Sequence, residues 1–484
     1  MANNFKNLFD PAAFRTQGHA LVDQLADYLA AANNTMPVLP WTEPAPMVER
    51  WADDFPTQPP ADVTRAMQAL LADVIAQSNH LHHPRYVGHQ VTAPLPQAAL
   101  WEMASTLLNN GMAVYEMGPV GTAMERSLIR WMGTHLGYDR TRCDGVLTSG
   151  GSAGNLTALL AARQDRAGFD AWTLGNHAGP PLCILAGEGA HYSVGRATQI
   201  MGWGADGVVT VPLDDHYRMR PDALPAALAR AHSLGRKPIA VAASACSTAT
   251  GSFDPLDAIA DFCQREGLWL HVDGAHGASA ALSPKYRHLL SGIQHADAVV
   301  WDAHKMLLMP ALITAVIFKN GSPSFHAFAQ HASYLFEGAA PEDEWFNLGR
   351  RTLECTKRMM SLKLYATLRL CGTQMFSDYV TAAFDLGKTF GTMLRAERDF
   401  AVPVDPECNI VCFRYTPPGE TDEKRIDLLQ GRIRKKLIEQ GAFYLVQTAL
   451  NGRTYLRVTL INPLTTESDL LALIAGVRTA AKSA

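Results

Sequence analysis

Seven short apolar runs dominate the middle of the chain: "GVLTS", "PLCILAG", "GVVTVPL", "PIAVAAS", "LWLHVD", "AVVWDA" and "LITAVIFK", with helix-length segments between them. A strand that alternates apolar and polar residues has one wet face, whereas a strand that is apolar throughout is buried on both. The pattern predicts an α/β fold: a mainly parallel sheet of the seven-stranded type, with helices on both faces. Ligands of such sheets bind beyond the carboxyl ends of the strands, so the residues that follow each run are the ones to read for chemistry.

At 484 residues the chain exceeds what one core organises. Residues 90–365 hold the seven runs and form the expected large domain. In residues 366–484, after the helical "TKRMMSLKLYATLRLCG" that bridges the boundary, the runs "NIVCFRY", "AFYLVQT" and "TYLRVTLIN" alternate with helices as in a smaller C-terminal α/β domain. Residues 1–89 read as a helical arm. The segment "DPAAFRTQGHALVDQLADYLAA" opens on an Asp-Pro helix start and carries Phe14, Leu21, Val22, Leu25 and Leu29 at helical spacing. The link that follows, "MPVLPWTEPAPMVERWADDFPTQPP", is too proline-dense for regular structure and reads as an extended connector. An arm attached in this way is expected to pack on a distant surface, that of a second subunit.

Composition excludes several function classes. A net charge of -4 leaves no electrostatic footprint for nucleic acid or an anionic membrane. With 48% hydrophobic and 18% charged residues, the chain is an ordinary globular protein and not a disordered one. The eight cysteines are scattered, several inside apolar runs, with no paired zinc spacing, which points to a reducing cytoplasm and no metal. The start "MANNFKNLFDPAAF" lacks the basic-then-apolar order of a signal peptide, and no window approaches the length of a membrane span.

The chemistry concentrates where runs end. Asp273 closes "LWLHVD", and His304 and Lys305 follow "AVVWDA". Both places penalise an unpaired ion. A carboxylate at one strand end and a lysine at another suit pyridoxal phosphate: the lysine forms a Schiff base, and the carboxylate keeps the pyridine nitrogen protonated as an electron sink. A structural buried salt bridge is the plainer alternative. In "VLTSGGSAGNLTALLAAR" a strand runs through glycines and serines into a helix, which makes an anion site of the helix N-terminus, or simply a strand-to-helix turn.

The ordered motifs "TSGGSAGNLTALLAAR", "EGAHYSVGRA", "STATGSFDPL", "HVDGAHG" and "DAHK" resemble the group II pyridoxal-phosphate amino-acid decarboxylases, a family that includes glutamate, cysteine-sulfinate and aromatic-amino-acid decarboxylases. The N-terminal "FRTQGHALVDQLADYL" is similar to that family's first helix, so the resemblance spans nearly the whole chain. It implies a fold-type I, aspartate-aminotransferase-like architecture and a homodimer with shared active sites. It also implies Lys305 as the Schiff-base lysine, His304 close to the phosphate, and Asp273 as the pyridinium partner. Ala275 and His191 would contact the two ring faces, Gly151 and Ser152 the phosphate, and Thr248 the cofactor. His89, Gln90 and Thr92 would face the substrate, and Arg457 its carboxylate.

The reaction so implied is loss of carbon dioxide from an amino acid to give an amine. "YEMGPVGTAMER" is closer to the glutamate and cysteine-sulfinate branch and favours a short or acidic substrate. The pattern departs from the family in two places. Asp302 and Ala303 stand where the animal enzymes commonly have Asn-Pro, and Gly274 and His276 where Ala and an aromatic are frequent. The segment 331–351, where relatives carry a proton-donating loop tyrosine, has its only tyrosine, Tyr334, at the entrance. Glu342, Asp343, Glu344 and Trp345 occupy the tip. Without that donor the carbanion would meet oxygen and give an aldehyde, unless His191 or a loop carboxyl supplies the proton. An aldehyde synthase and an aminotransferase are therefore the competing activities.

Overall fold

The computed structural model describes residues 8–33, 35–52, 54–328 and 343–483. They divide into two compact units, a larger one of residues 90–396 and 402–412 and a smaller one of residues 1–89, 397–401 and 413–484. The small domain was expected to begin at 366, yet the helix Thr373–Ala396 groups with the larger unit. There Asp385 binds Lys285 Nζ and Tyr286 Oη, each at 2.5 Å.

The larger unit is built on seven strands: β1 (Asp144–Thr148), β2 (Leu182–Gly187), β3 (Val208–Val211), β4 (Lys237–Ser244), β5 (Trp269–Asp273), β6 (Ala298–Asp302) and β7 (Thr314–Phe318). Their order is β1-β7-β6-β5-β4-β2-β3. Every residue of β1, β2, β5, β6 and β7 is buried, which is why these segments are apolar throughout instead of alternating. Pairings among β2 to β6 are parallel, while β7 runs antiparallel to both β1 and β6. The reversal has a plain cause: a parallel return needs a crossover of about a dozen residues or more, and the link 303–313 is too short for one.

The helix Gly151–Arg166 starts at the end of β1 and packs across β4 to β7. Residues 154–163 are all buried, as expected of a helix enclosed by its own unit. Gly154 allows the close approach, since a Cβ there would stand 3.2 Å from methyl carbons of Thr314 and Val300.

A second sheet has the order β10-β11-β9-β8; β8 (Phe400–Ala401), β10 (Val446–Leu450), β11 (Arg453–Thr459) and the last three residues of β9 (Ile410–Tyr415) belong to the smaller unit. The β10–β11 hairpin turns on Asn451 and Gly452, both at positive φ as a two-residue connection requires. Toward the N-terminus, Asp10 caps the helix Pro11–Ala32 by accepting from Ala12 N and Ala13 N. That helix meets the helix Val63–Gln77 through Gln24 Nε2, which donates to Gln68 O. The proline-dense link is not wholly extended. It contains the helix Pro44–Arg50, with Pro44 at the first helical position, where a missing N–H costs nothing.

Candidate active site

The carboxyl ends of β1, β2, β4, β5 and β6 open onto one cavity of about 290 Å³ in the larger unit. Gly151, Ser152, His191, Thr248, Asp273, Ala275, His304 and Lys305 all line it. Each lies at or a few residues beyond the carboxyl end of a largely buried strand.

Asp273, the last residue of β5, is held at both oxygens. Its Oδ2 accepts from Asn155 Nδ2 at 2.9 Å and its Oδ1 from Ala275 N at 3.2 Å. Asn155 is oriented in turn by the fully buried His271. Because Asn155 Nδ2 is a donor, its Oδ1 must accept, so His271 carries its proton on Nε2 and donates at 2.8 Å. Burial pushes the His271 ring down to about 4 against the opposing pull of Asp273, so the ring is neutral. Asn155 Nδ2 also donates to Ser193 Oγ at 2.8 Å, and Ser193 Oγ lies 2.7 Å from His191 Nδ1. Since Ser193 N donates to the same Nδ1, that nitrogen is the acceptor and the proton of neutral His191 sits on Nε2. Burial lowers the pKa of His191, with Asp273 working against it.

Lys305 lies three residues beyond the end of β6. Its Nζ is 2.9 Å from Oδ2 of Asp302, the last residue of that strand, and its side chain keeps 18% exposure against 1% for Asp302. Burial would lower the Lys305 pKa, but Asp302 and then Asp273 outweigh it and raise it. For Asp302, burial works upward, and Lys305 and His304 outweigh it, holding the carboxyl below its ordinary range. The ring of His304 is anchored by Nδ1, 2.9 Å from Ile313 O.

The third component is the start of the helix Gly151–Arg166. Gly150 precedes it at φ 134, a conformation L side chains rarely adopt, and no side chain caps the first turn. The amides of that turn therefore present a positive dipole end to the cavity. A helix start for a phosphate, a buried carboxylate for a protonated ring nitrogen and an amine for an aldehyde fit pyridoxal phosphate.

The other expected residues are not among those that line this cavity. Gln90 and Thr92 belong to the larger unit, where buried Thr92 hydrogen-bonds Tyr379. His89 and Arg457 belong to the smaller unit and come together there: burial, Arg457 and Arg434 all lower the His89 pKa. Arg457 sits on β11 opposite Val446 of β10. Tyr334 and Glu342 lie outside the described residues. Glu344 is committed to Arg350 at 2.9 Å, both side chains buried, and the Arg126 guanidinium lies over the Trp345 ring. Asn155, His271 and Ser193 were not singled out from sequence. The signal was present, since His271 and Asp273 share one strand face at a spacing of two, and Asn155 lies one helical turn after Gly151.

Comparison with known proteins agrees with this geometry. The pyridoxal-dependent decarboxylase conserved domain matches residues 45–416. Cysteine sulfinic acid decarboxylase of Rattus norvegicus is 30% identical over 451 residues, covering 90% of each chain. Aspartate 1-decarboxylase of Aliivibrio fischeri is 29% identical, covering 90% of this chain and 86% of that one. The crystal structure of mouse CSAD superposes with a TM-score of 0.91 at 27% identity, covering 98% of this chain and 99% of that one. With a domain match across most of its length and relatives aligned nearly end to end, the chain belongs to the pyridoxal-dependent decarboxylase family.

Proposed function

We propose that this family member removes the α-carboxylate of a short acidic L-amino acid and releases the amine. The observation that carries the reading is the convergence, in one cavity, of Asp273, Lys305 and an uncapped helix start from separate strand ends. Bound pyridoxal phosphate supplies an electron sink for the bond to the departing carboxylate. Asp273, fixed by Asn155 and the Ala275 amide, keeps the ring nitrogen protonated. Lys305 carries the cofactor, with Gly151 and Ser152 at its phosphate, His304 near that phosphate, and Thr248, Ala275 and His191 around the ring. His191 holds its proton on Nε2, the nitrogen able to deliver it once carbon dioxide has left.

The acidic substrate is supported by relatives named for cysteine sulfinic acid and aspartate, each an amino acid with a second acid group. His89, Gln90, Thr92 and Arg457 are the residues proposed to meet that substrate. A homodimer with shared active sites and a cytoplasmic setting complete the reading. The first is supported by Phe14, Val22 and Leu25, exposed on a helix of 22 residues that buries only Ala32. Eight free cysteines support the second. No described helix is long and apolar enough to cross a membrane.

The test is an aerobic incubation of the purified protein with a panel of amino acids, identifying the product by mass spectrometry and following carbon dioxide. Amine with carbon dioxide from an acidic member is expected. Aldehyde with carbon dioxide would replace the proposed product, and an oxo acid without carbon dioxide would make the enzyme an aminotransferase.

A further inference from the structure

The cavity contains two carboxylates, and only Asp273 has a task so far. Asp302 is 1% exposed and sits against Lys305, His304 and Thr314. Thr314 Oγ donates to Oδ1 at 2.5 Å, which leaves Oδ2 for Lys305 Nζ at 2.9 Å and His304 Nε2 at 3.5 Å. A carboxylate this buried is stable as an anion only while a cation stays beside it. A Cβ added to Gly151 would stand 3.4 Å from both Asp302 oxygens, so the carboxylate also lies beside the start of the cofactor-site helix.

Exchange of amines at the cofactor's carbonyl carbon conserves charge. The substrate's ammonium ion would have to give up a proton before its nitrogen could bond to that carbon, and the lysine would take up that proton as its own C–N bond breaks, leaving as an ammonium ion. That released cation needs a counter-charge inside the site. Resting on the reading of Lys305 as the cofactor-bearing lysine, we propose that Asp302 is a positioning residue that receives released Lys305 as an ammonium ion and so sets when its amine is free to attack again. The other ionisable groups facing Lys305 are Asp273, His191, His304 and Cys246. Asp273 is engaged by Asn155 and Ala275, His304 by Ile313, and Cys246 by Cys408, with 3.8 Å between the sulfurs. Asp302 alone among these is within ion-pair distance of Nζ.

The test frees the lysine in the loaded enzyme with aminooxyacetate, which captures the cofactor's carbonyl carbon, and then labels amines with trace acetic anhydride across a pH series. Acetylation of Lys305 is read by peptide mass spectrometry. In the parent, Lys305 should be protected until aminooxyacetate is added, and should then titrate above the ordinary lysine value of 10.5. In Asp302→Asn, which keeps the shape and removes the charge, released Lys305 should acetylate at least about tenfold faster at pH 9. An equal rate in the two proteins would overturn the role of Asp302. A parent midpoint below 10.5 would do so without any variant. Equal labelling of Lys305 before and after aminooxyacetate would instead remove Lys305 as the cofactor's lysine, a separate failure.

Discussion

Two lysines of the larger unit, one buried and one lining the cavity, each pair with a buried carboxylate and behave in opposite ways. Lys357 is enclosed: its Nζ reaches Glu125 Oε1 at 2.5 Å and Leu147 O at 2.7 Å, and its side chain is 3% exposed. Burial lowers its pKa, only partly offset by Glu125. Lys305 meets two carboxylates, which together overcome burial and raise its pKa, and one side of it faces a cavity. A buried ion pair is therefore no mark of a site. What distinguishes Lys305 is an unfilled side and a surplus of negative charge around it, the conditions under which an amine can be both stored and used.

The largest effect that would sharpen this contrast is on turnover. Lys305→Ala should lower decarboxylation by at least about a thousandfold, as loss of a covalent catalytic group does. Steady-state assay of the two lysine variants, normalised to folded protein, checks it; comparable losses in both would erase the distinction. Next in size is stability. Lys357→Met strands Glu125 and should cost about 3–5 kcal/mol in urea unfolding, more than Lys305→Ala does. If the order were reversed, Lys357 would not be the structural member of the pair.

A third effect reads the relay behind Asp273. His271 has a folded pKa of about 4 against an ordinary value of 6.5, so between those values the unfolded chain takes up a proton that the folded chain refuses. Stability is fully present above pH 6.5 and is lost as pH falls toward 4. The difference between those two pKa values is worth roughly 3 kcal/mol. His271→Asn should flatten that limb of the pH profile, and an unchanged profile would mean His271 is charged in the fold. The smallest effect is on cofactor grip. Asn155→Ala removes a donor from Asp273 and an acceptor from His271 and should cost about 1–3 kcal/mol, seen as weaker binding when pyridoxal phosphate is titrated by absorbance. Unaltered binding would show that the Ala275 amide suffices to fix Asp273.

Much of this was legible in the sequence alone. The seven strands could be read because burial on both faces leaves no alternation to misinterpret, and Asp273 and Lys305 stood out because charges at the ends of apolar runs demand partners. Less was legible where the signal is short or shared. The reversal of β7 depends on a link length, β8 has only two residues, and the helix Pro44–Arg50 hides among prolines that usually exclude one. Asn155 and His271 look like ordinary polar residues until the fold brings helix and strand together, and Asp302 reads as a strand end until Lys305 folds back onto it. The roles of Gly151, Ser152 and Thr248 came from resemblance to the family, not from their own chemistry.

The most direct measurement is to reduce the loaded protein with borohydride, which fixes pyridoxal phosphate to whatever amine holds it, and to map the modified peptide. The cofactor should be found on Lys305 and absent from Lys357 and from Lys363, a second buried lysine whose Nζ lies 2.9 Å from Glu102 Oε2. A pyridoxyl group on either of those lysines, or none on Lys305, would contradict the assignment of the open-sided lysine as the one that works.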